Sequence, residues 1–122
     1  MASMMSGAEM RVRLNRLGLT IDALAKLAGW DTRTLTRETT GARRVSDRTE
    51  AKIRELEVRA REDLDRFNDA AEEGTPIYLP RLNTPQEPGG LPPHWWLAIA
   101  SRCEDVWGEA VQFEWDESDG PA

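Results

Sequence analysis

Apolar residues along this chain recur at two periods, and the places where the period changes divide it. Met10, Leu14 and Leu17 fall at helical spacing in "AEMRVRLNRL", and Gly18 ends that helix. Thr20 is a suitable N-cap for a second helix, "IDALAKLAG", with Ile21, Leu24, Ala25 and Ala28 on one face and Gly29 closing it. The small Ala25 leaves room for another helix to approach. After a tight "GWD" connection, Asp31 or Thr32 caps a third helix, with Leu35 its main inward residue and Gly41 its end. The opening "MASMMSG" carries no pattern and is left outside the predicted fold.

From Ser46 the pattern lengthens. Ser46 or Asp47 is the expected N-cap, with Glu50 three residues after Asp47 as in a capping box. Ile53, Leu56, Ala60, Leu64, Phe67 and Ala71 then step by three or four residues, a narrow seam on a polar helix reaching about Glu73. At ~1.5 Å per residue such a helix is on the order of 40 Å long, more than a three-helix head covers. The seam is therefore expected to meet a second copy of the chain. The alternative is that it packs within its own subunit.

Beyond Gly74, "TPIYLPRL" reads as a short strand bounded by prolines and "NTPQEPGGLPP" as a loop. "HWWLAIASRCEDVW" reads as a helix with Trp96, Ile99, Ala100, Cys103 and Val106 on one face. In "AVQFEWD" Val111, Phe113 and Trp115 alternate with polar residues, the period of a half-buried strand. The tail "ESDGPA" is expected to fray. The two strands are expected to pair in parallel, with a right-handed crossover. The fold class is mainly α with a small C-terminal β-α-β element. Its parts are a head over 8–45, a connecting helix over 46–73 and a strand-helix-strand module over 74–116.

Charge changes the picture. The 122-residue chain has a formal net charge of −6, but residues 1–48 hold nine Arg/Lys against five acidic residues, a balance of +4. The remaining 74 residues hold seven against seventeen, a balance of −10. The basic part includes "WDTRTLTRETTGARR", with five threonines and four arginines. A local positive surface is compatible with a polyanion partner despite the acidic total. The lone Cys103 excludes an intrachain disulfide and suits a reducing cytoplasm. No apolar run is long enough for a membrane helix, and no signal peptide is evident.

Helix, glycine-containing turn and helix make the helix-turn-helix unit. "LTIDALAKLAGWDTRTLTRETTGARRVS" resembles the helix-turn-helix of the phage-repressor and Cro-like (XRE-type) family. Leu19, Leu24, Ala25, Gly29, Leu35 and Gly41 fall at that family's core and turn positions, and Asp31 stands at its Ser/Thr cap position. The resemblance covers roughly residues 8–57. Ile21 replaces a residue that is often polar, Glu38 and Thr39 replace an apolar–Glu pair, and Val45 replaces a common proline. The overall layout also resembles the anti-CRISPR-associated dimeric autorepressors of phages.

With the third helix as recognition helix, Thr32, Arg33, Thr34, Thr36 and Arg37 are the expected base-contacting residues, since arginine binds guanine O6 and N7 in bidentate fashion. Arg16, Thr20, Arg43, Arg44 and Arg48 are the expected phosphate contacts. Ile53, Leu56, Leu64, Phe67, Trp96, Ile99, Val111, Phe113 and Trp115 are the expected dimer interface. The resulting expectation is a cytoplasmic homodimeric repressor on an inverted repeat of double-stranded DNA, autoregulatory and of phage or mobile-element origin. Two alternatives stand beside it. One is an antitoxin-like module whose acidic C-terminal half binds a protein partner; the other puts RNA in place of or beside DNA. An enzyme is not expected: one histidine, one cysteine and no phosphate-binding glycine loop or metal-ligand cluster offer no catalytic constellation, and no metal or cofactor.

Overall fold

A computed structural model describes residues 4–117. The expected fraying of "ESDGPA" falls, beyond Glu117, outside the described residues. The chain forms α1 (Gly7–Arg16), α2 (Ile21–Ala28), α3 (Thr32–Thr40), the long α4 (Asp47–Glu73), β1 (Ile77–Leu79), α5 (Pro93–Trp107) and β2 (Phe113–Trp115), with a 3-10 turn over Gly108–Ala110. It is mainly helical with a small C-terminal β-α-β element, as the periodicity predicts. β1 and β2 pair in parallel, Ile77 opposite Phe113 and Leu79 opposite Trp115.

The helix ends follow side-chain chemistry. The hydroxyls of Ser6 and Thr20 accept from the Glu9 and Ala23 amides at 3.0 Å each, satisfying donors that a helix start otherwise leaves free. From Met5 onward the opening segment takes part in the fold: Met5 is buried in the core, Ser6 caps α1 and Gly7 begins it. On α4 the cap is Ser46, which accepts from the Thr49 amide at 3.1 Å. The expected Asp47–Glu50 box does not form. Glu50 instead accepts from the Met5 amide at 3.1 Å. About two turns further along, Arg13 Nη1 reaches Glu57 Oε1, also at 3.1 Å. These two pairs are 45 and 44 residues apart in sequence, so α1 and α4 run side by side in the same direction.

The seam of α4 does not wait for a second copy. α5 lies along it and closes it within the chain. Ile53, Leu56 and Ala60 are buried in one cluster with Met10, Leu14, Leu24 and Leu35 of the head and with Trp95 and Ile99 of α5. Leu64 and Phe67 are half-buried against the same cluster, and Phe67 stacks on Trp96 with ring centroids 6.2 Å apart. A second cluster joins Ala71, Ile77, Leu79, Ala100, Cys103 and Val111 beneath the sheet. Head, connecting helix and C-terminal segment thus share their cores.

On α5 the inward face runs Trp95, Ile99 and Cys103, one turn apart, with Trp107 half-buried at its end. Val106, expected on that face, is 74% exposed. By helical spacing Val106 shares that face, but it lies in the last turn of α5, where no neighbouring element covers it. No helix among the described residues is long and apolar enough to cross a membrane.

Candidate nucleic-acid interface

α3 is held by its two ends and by one row of inward residues. Its first turn is capped by the Asp31 carboxylate, which accepts from the Arg33 amide at 2.8 Å. Leu35 and Glu38, three residues apart, are both buried. Glu38 accepts from the Ser46 amide at 3.0 Å and from Thr49 Oγ1 at 3.3 Å. The carboxylate at the usually apolar position thus ties the end of α3 to the start of α4. A buried carboxylate without donors would be costly; here both donors come from the neighbouring cap.

With that row turned inward, the opposite face presents Thr32, Arg33, Thr36 and Arg37 to solvent, and Thr34 is half-buried at its edge. Arg33 and Arg37 lie one turn apart. The threonines are less free as donors than their composition implies. Thr36 Oγ1 donates to the Thr32 carbonyl at 2.9 Å, Thr39 Oγ1 to the Thr36 carbonyl at 2.8 Å and Thr40 Oγ1 to the Arg37 carbonyl at 3.2 Å. Such back-bonding uses the hydroxyl proton and leaves the oxygen lone pairs and the methyl. Thr36 is therefore an acceptor and a methyl contact.

After Gly41 the chain turns back, and the Arg43 amide donates to the Arg37 carbonyl at 2.9 Å. This brings the exposed Arg43 and Arg44 to the end of the same helix. No carboxylate pairs with Arg33, Arg37, Arg43 or Arg44 among the described residues, whereas Arg13, Arg54, Arg59, Arg66 and Arg81 all do so. Unneutralised guanidinium groups clustered on one helix and its following loop give a positive surface in an acidic chain.

The other expected phosphate contacts are placed differently. Arg48 stacks over the Trp30 ring, its guanidinium carbon 4.2 Å from the ring centroid, a packing role as much as a charge. Arg16 and Thr20 lie at the α1–α2 junction, on elements separate from α3. Arg16 is exposed, and Thr20 Oγ1 serves as the cap of α2.

Of the expected dimer residues, Ile53, Leu56, Ile99 and Val111 are buried within the chain, so they offer no surface to a partner in this fold. Leu64, Phe67, Trp96 and Phe113 are half-buried. Trp115 remains 43% exposed. It lines, with Leu97, Ala100, Phe113 and Glu114, an open groove beside the sheet of about 560 Å³. His94 is exposed at the start of α5, and Cys103 is buried on its inner face, where desolvation pushes the thiol pKa up.

Sequence reasoning missed Glu38 as a tie between helices because an acidic residue at a core position carries no periodic signal. No protein-family model and no curated protein sequence matches the chain, so the local resemblance stands on the residues themselves.

Proposed function

We propose that this chain is a sequence-specific DNA-binding repressor that inserts α3 into the major groove. The observation that carries the reading is the exposed row of Arg33 and Arg37, without a carboxylate partner among the described residues and flanked by Thr32 and Thr36, on a helix pinned from behind by Leu35 and Glu38. The two arginines offer bidentate donors to guanine, and the threonines offer methyls and acceptors to neighbouring bases. Arg43 and Arg44, folded back on the same helix, bind phosphates and fix the register. Two copies on an inverted repeat, with half-site centres ~34 Å apart, would block polymerase access to a promoter. A phage or mobile element regulating its own gene in a bacterial cytoplasm fits this class of protein.

Because the α4 seam is closed within the chain, a second copy would meet the exposed apolar residues of the C-terminal segment. Tyr78, Leu82, Leu97, Val106 and Trp115 are the large apolar side chains left exposed there among the described residues. A protein partner for the acidic half would compete for the same residues.

The test is selection from randomised duplexes followed by sequencing of the bound pool, with light scattering on the free protein. The expected result is an enriched inverted repeat bound by a dimer. Arg33→Ala or Arg37→Ala should relax one position of the site, at about 1–3 kcal/mol each. A pool without enrichment, or enrichment indifferent to both arginines, overturns the reading.

A further inference from the structure

Three arginines from three helices come together where α1 ends. The parallel register of α1 and α4 keeps an offset of 45 residues at Met5–Glu50 and 44 at Arg13–Glu57. Carried one turn further, the same offset puts Arg16 and Arg61 at the same level of the two helices. α5 crosses at this level. A Cβ on Gly18 would stand 2.1 Å from the His94 carbonyl oxygen and 3.1 Å from the Ala98 Cβ. Arg102 lies one turn beyond Ala98 on that helix. Arg102 is half-buried, and burial, followed by the like charges of Arg16 and Arg61, lowers its pKa from the ordinary arginine value. It stays protonated all the same.

No carboxylate pairs with any of the three among the described residues. Glu57, one turn before Arg61, is engaged by Arg13. Glu62 and Asp65 on α4 and Glu104 and Asp105 on α5 are exposed close by in sequence, yet none is recruited. Like charges gathered without a counter-acid raise the free energy of the isolated protein and favour binding of an anion. Arg16 and Arg61 are both exposed, so the cluster is an open surface suited to a chain of phosphates.

We propose that Arg16, Arg61 and Arg102 form a second phosphate-binding patch, which takes the sugar–phosphate backbone of the duplex outside the bases read by α3. This rests on the DNA-binding reading. In helix-turn-helix docking the helix before the recognition helix crosses the backbone. Arg16 precedes Thr20, the cap of that helix, by one turn. A backbone passing the start of α2 reaches Arg16 first and then the two arginines behind it. The patch extends the footprint beyond α3 and contributes affinity without sequence preference.

The experiment measures affinity against salt for wild type, Arg61→Gln and Arg102→Gln on the selected duplex and on random duplexes. Arg61→Lys serves as the charge-retaining control, and circular dichroism checks folding. Each neutralisation should reduce the log–log salt slope by about 0.9 and weaken binding about eightfold at 0.1 M salt, equally on all sequences. Arg61→Lys should restore the slope. Unchanged slopes in folded Arg61→Gln, with base selectivity still dependent on Arg33, overturn the patch and leave the DNA reading intact. Loss of all duplex binding by the wild type overturns both. A parallel melting series with inorganic phosphate against chloride at equal ionic strength separates the sources. Protection by phosphate that Arg61→Gln abolishes, with duplex slopes unchanged, assigns the cluster to a soluble phosphate and overturns the backbone proposal.

Discussion

Trp95 Nε1 donates to Asp63 Oδ2 at 3.0 Å, and both side chains are almost wholly buried. The pair bolts α5 to the middle of α4. Asp63 is also approached on its own helix by Arg59 Nε at 3.7 Å and by Arg66, whose guanidinium groups reach in from an exposed surface. The carboxylate is therefore satisfied on both sides, and its removal leaves the indole N–H without an acceptor. Asp63→Ala is expected to lower stability by about 1–3 kcal/mol, the cost of an unsatisfied buried donor. Trp95→Phe should cost more than the lost bond alone, because a smaller ring leaves space in the core. In a double-mutant cycle measured by urea unfolding, a positive coupling shows that the two side chains act as a unit. Additive effects would show that the bond contributes little beyond packing.

Gly18 serves two requirements at once. Its φ of +71° lies in the left-handed region, and a Cβ there would sit 2.1 Å from the His94 carbonyl oxygen, a backbone atom that cannot swing aside. Gly74 shares the first requirement, with φ of +75°, but has nothing within 4 Å of where a Cβ would stand. Gly74→Ala is expected to cost about 1 kcal/mol, the conformational penalty alone. Gly18→Ala should cost distinctly more, because α5 must move off the α1–α2 junction. Equal losses in thermal unfolding of the two variants would show that α5 yields there without strain.

Helix existence and helix ends were legible because they depend on local chemistry. Thr20, Asp31, Gly29, Gly41 and Gly74 act at the positions their types predict. The parallel pairing of Ile77–Leu79 with Phe113–Trp115 was legible from the helix between them. What the α4 seam packs against was not. Ile53, Leu56 and Ala60 carry the same spacing whether the covering helix belongs to the same chain or another, and only the approach of Trp95 and Ile99 decides it. On α5 the expected Ile99, Ala100 and Cys103 are buried and Trp96 packs half-buried against the core, but Val106 is exposed and the wholly buried tryptophan is Trp95. Trp95 and Trp96 are adjacent and equally apolar, and the acceptor for the Trp95 indole is Asp63, 32 residues earlier, a partner no local pattern encodes. The exposed arginine row of α3 was readable as soon as Leu35 was assigned inward. The meeting of Arg16, Arg61 and Arg102 depends on the α1–α4 register, which no local pattern encodes.

Cys103 lies against the sheet with its thiol buried, and desolvation raises its pKa. The neutral thiol is favoured in the fold, so the folded state holds this proton more tightly than the unfolded chain. As pH rises through the unfolded thiol pKa, the unfolded state loses its proton first, and stability falls with increasing pH. Two outcomes follow. Labelling of the native protein by a disulfide reagent near neutral pH should be slow, and urea should accelerate it steeply. Unfolding free energy should decline above pH ~8.5, the ordinary range of a free thiol, and Cys103→Ser should flatten this part of the decline. Rapid labelling of the folded protein would place the thiol in contact with solvent.

The basic residues around α3 should separate by role. Arg43 and Arg44 have no carboxylate partner among the described residues, and the loop that carries them is fixed by the Arg43 amide on the Arg37 carbonyl. Arg48 instead lies over Trp30 at 4.2 Å. Replacing Arg43 or Arg44 by alanine is expected to leave thermal stability unchanged and to reduce the salt slope of DNA binding by about 1 each, equally on specific and random duplexes. Arg48→Ala should do the reverse in larger part, costing about 0.5–1 kcal/mol of stability through the lost cation–π contact. It should also shift the fluorescence of Trp30, with a smaller change in salt slope. If Arg48→Ala lowers the slope as much as Arg43→Ala without destabilising the fold, the guanidinium leaves the ring when DNA binds. Arg48 then belongs with the phosphate contacts, and Trp30 only parks it in the free protein.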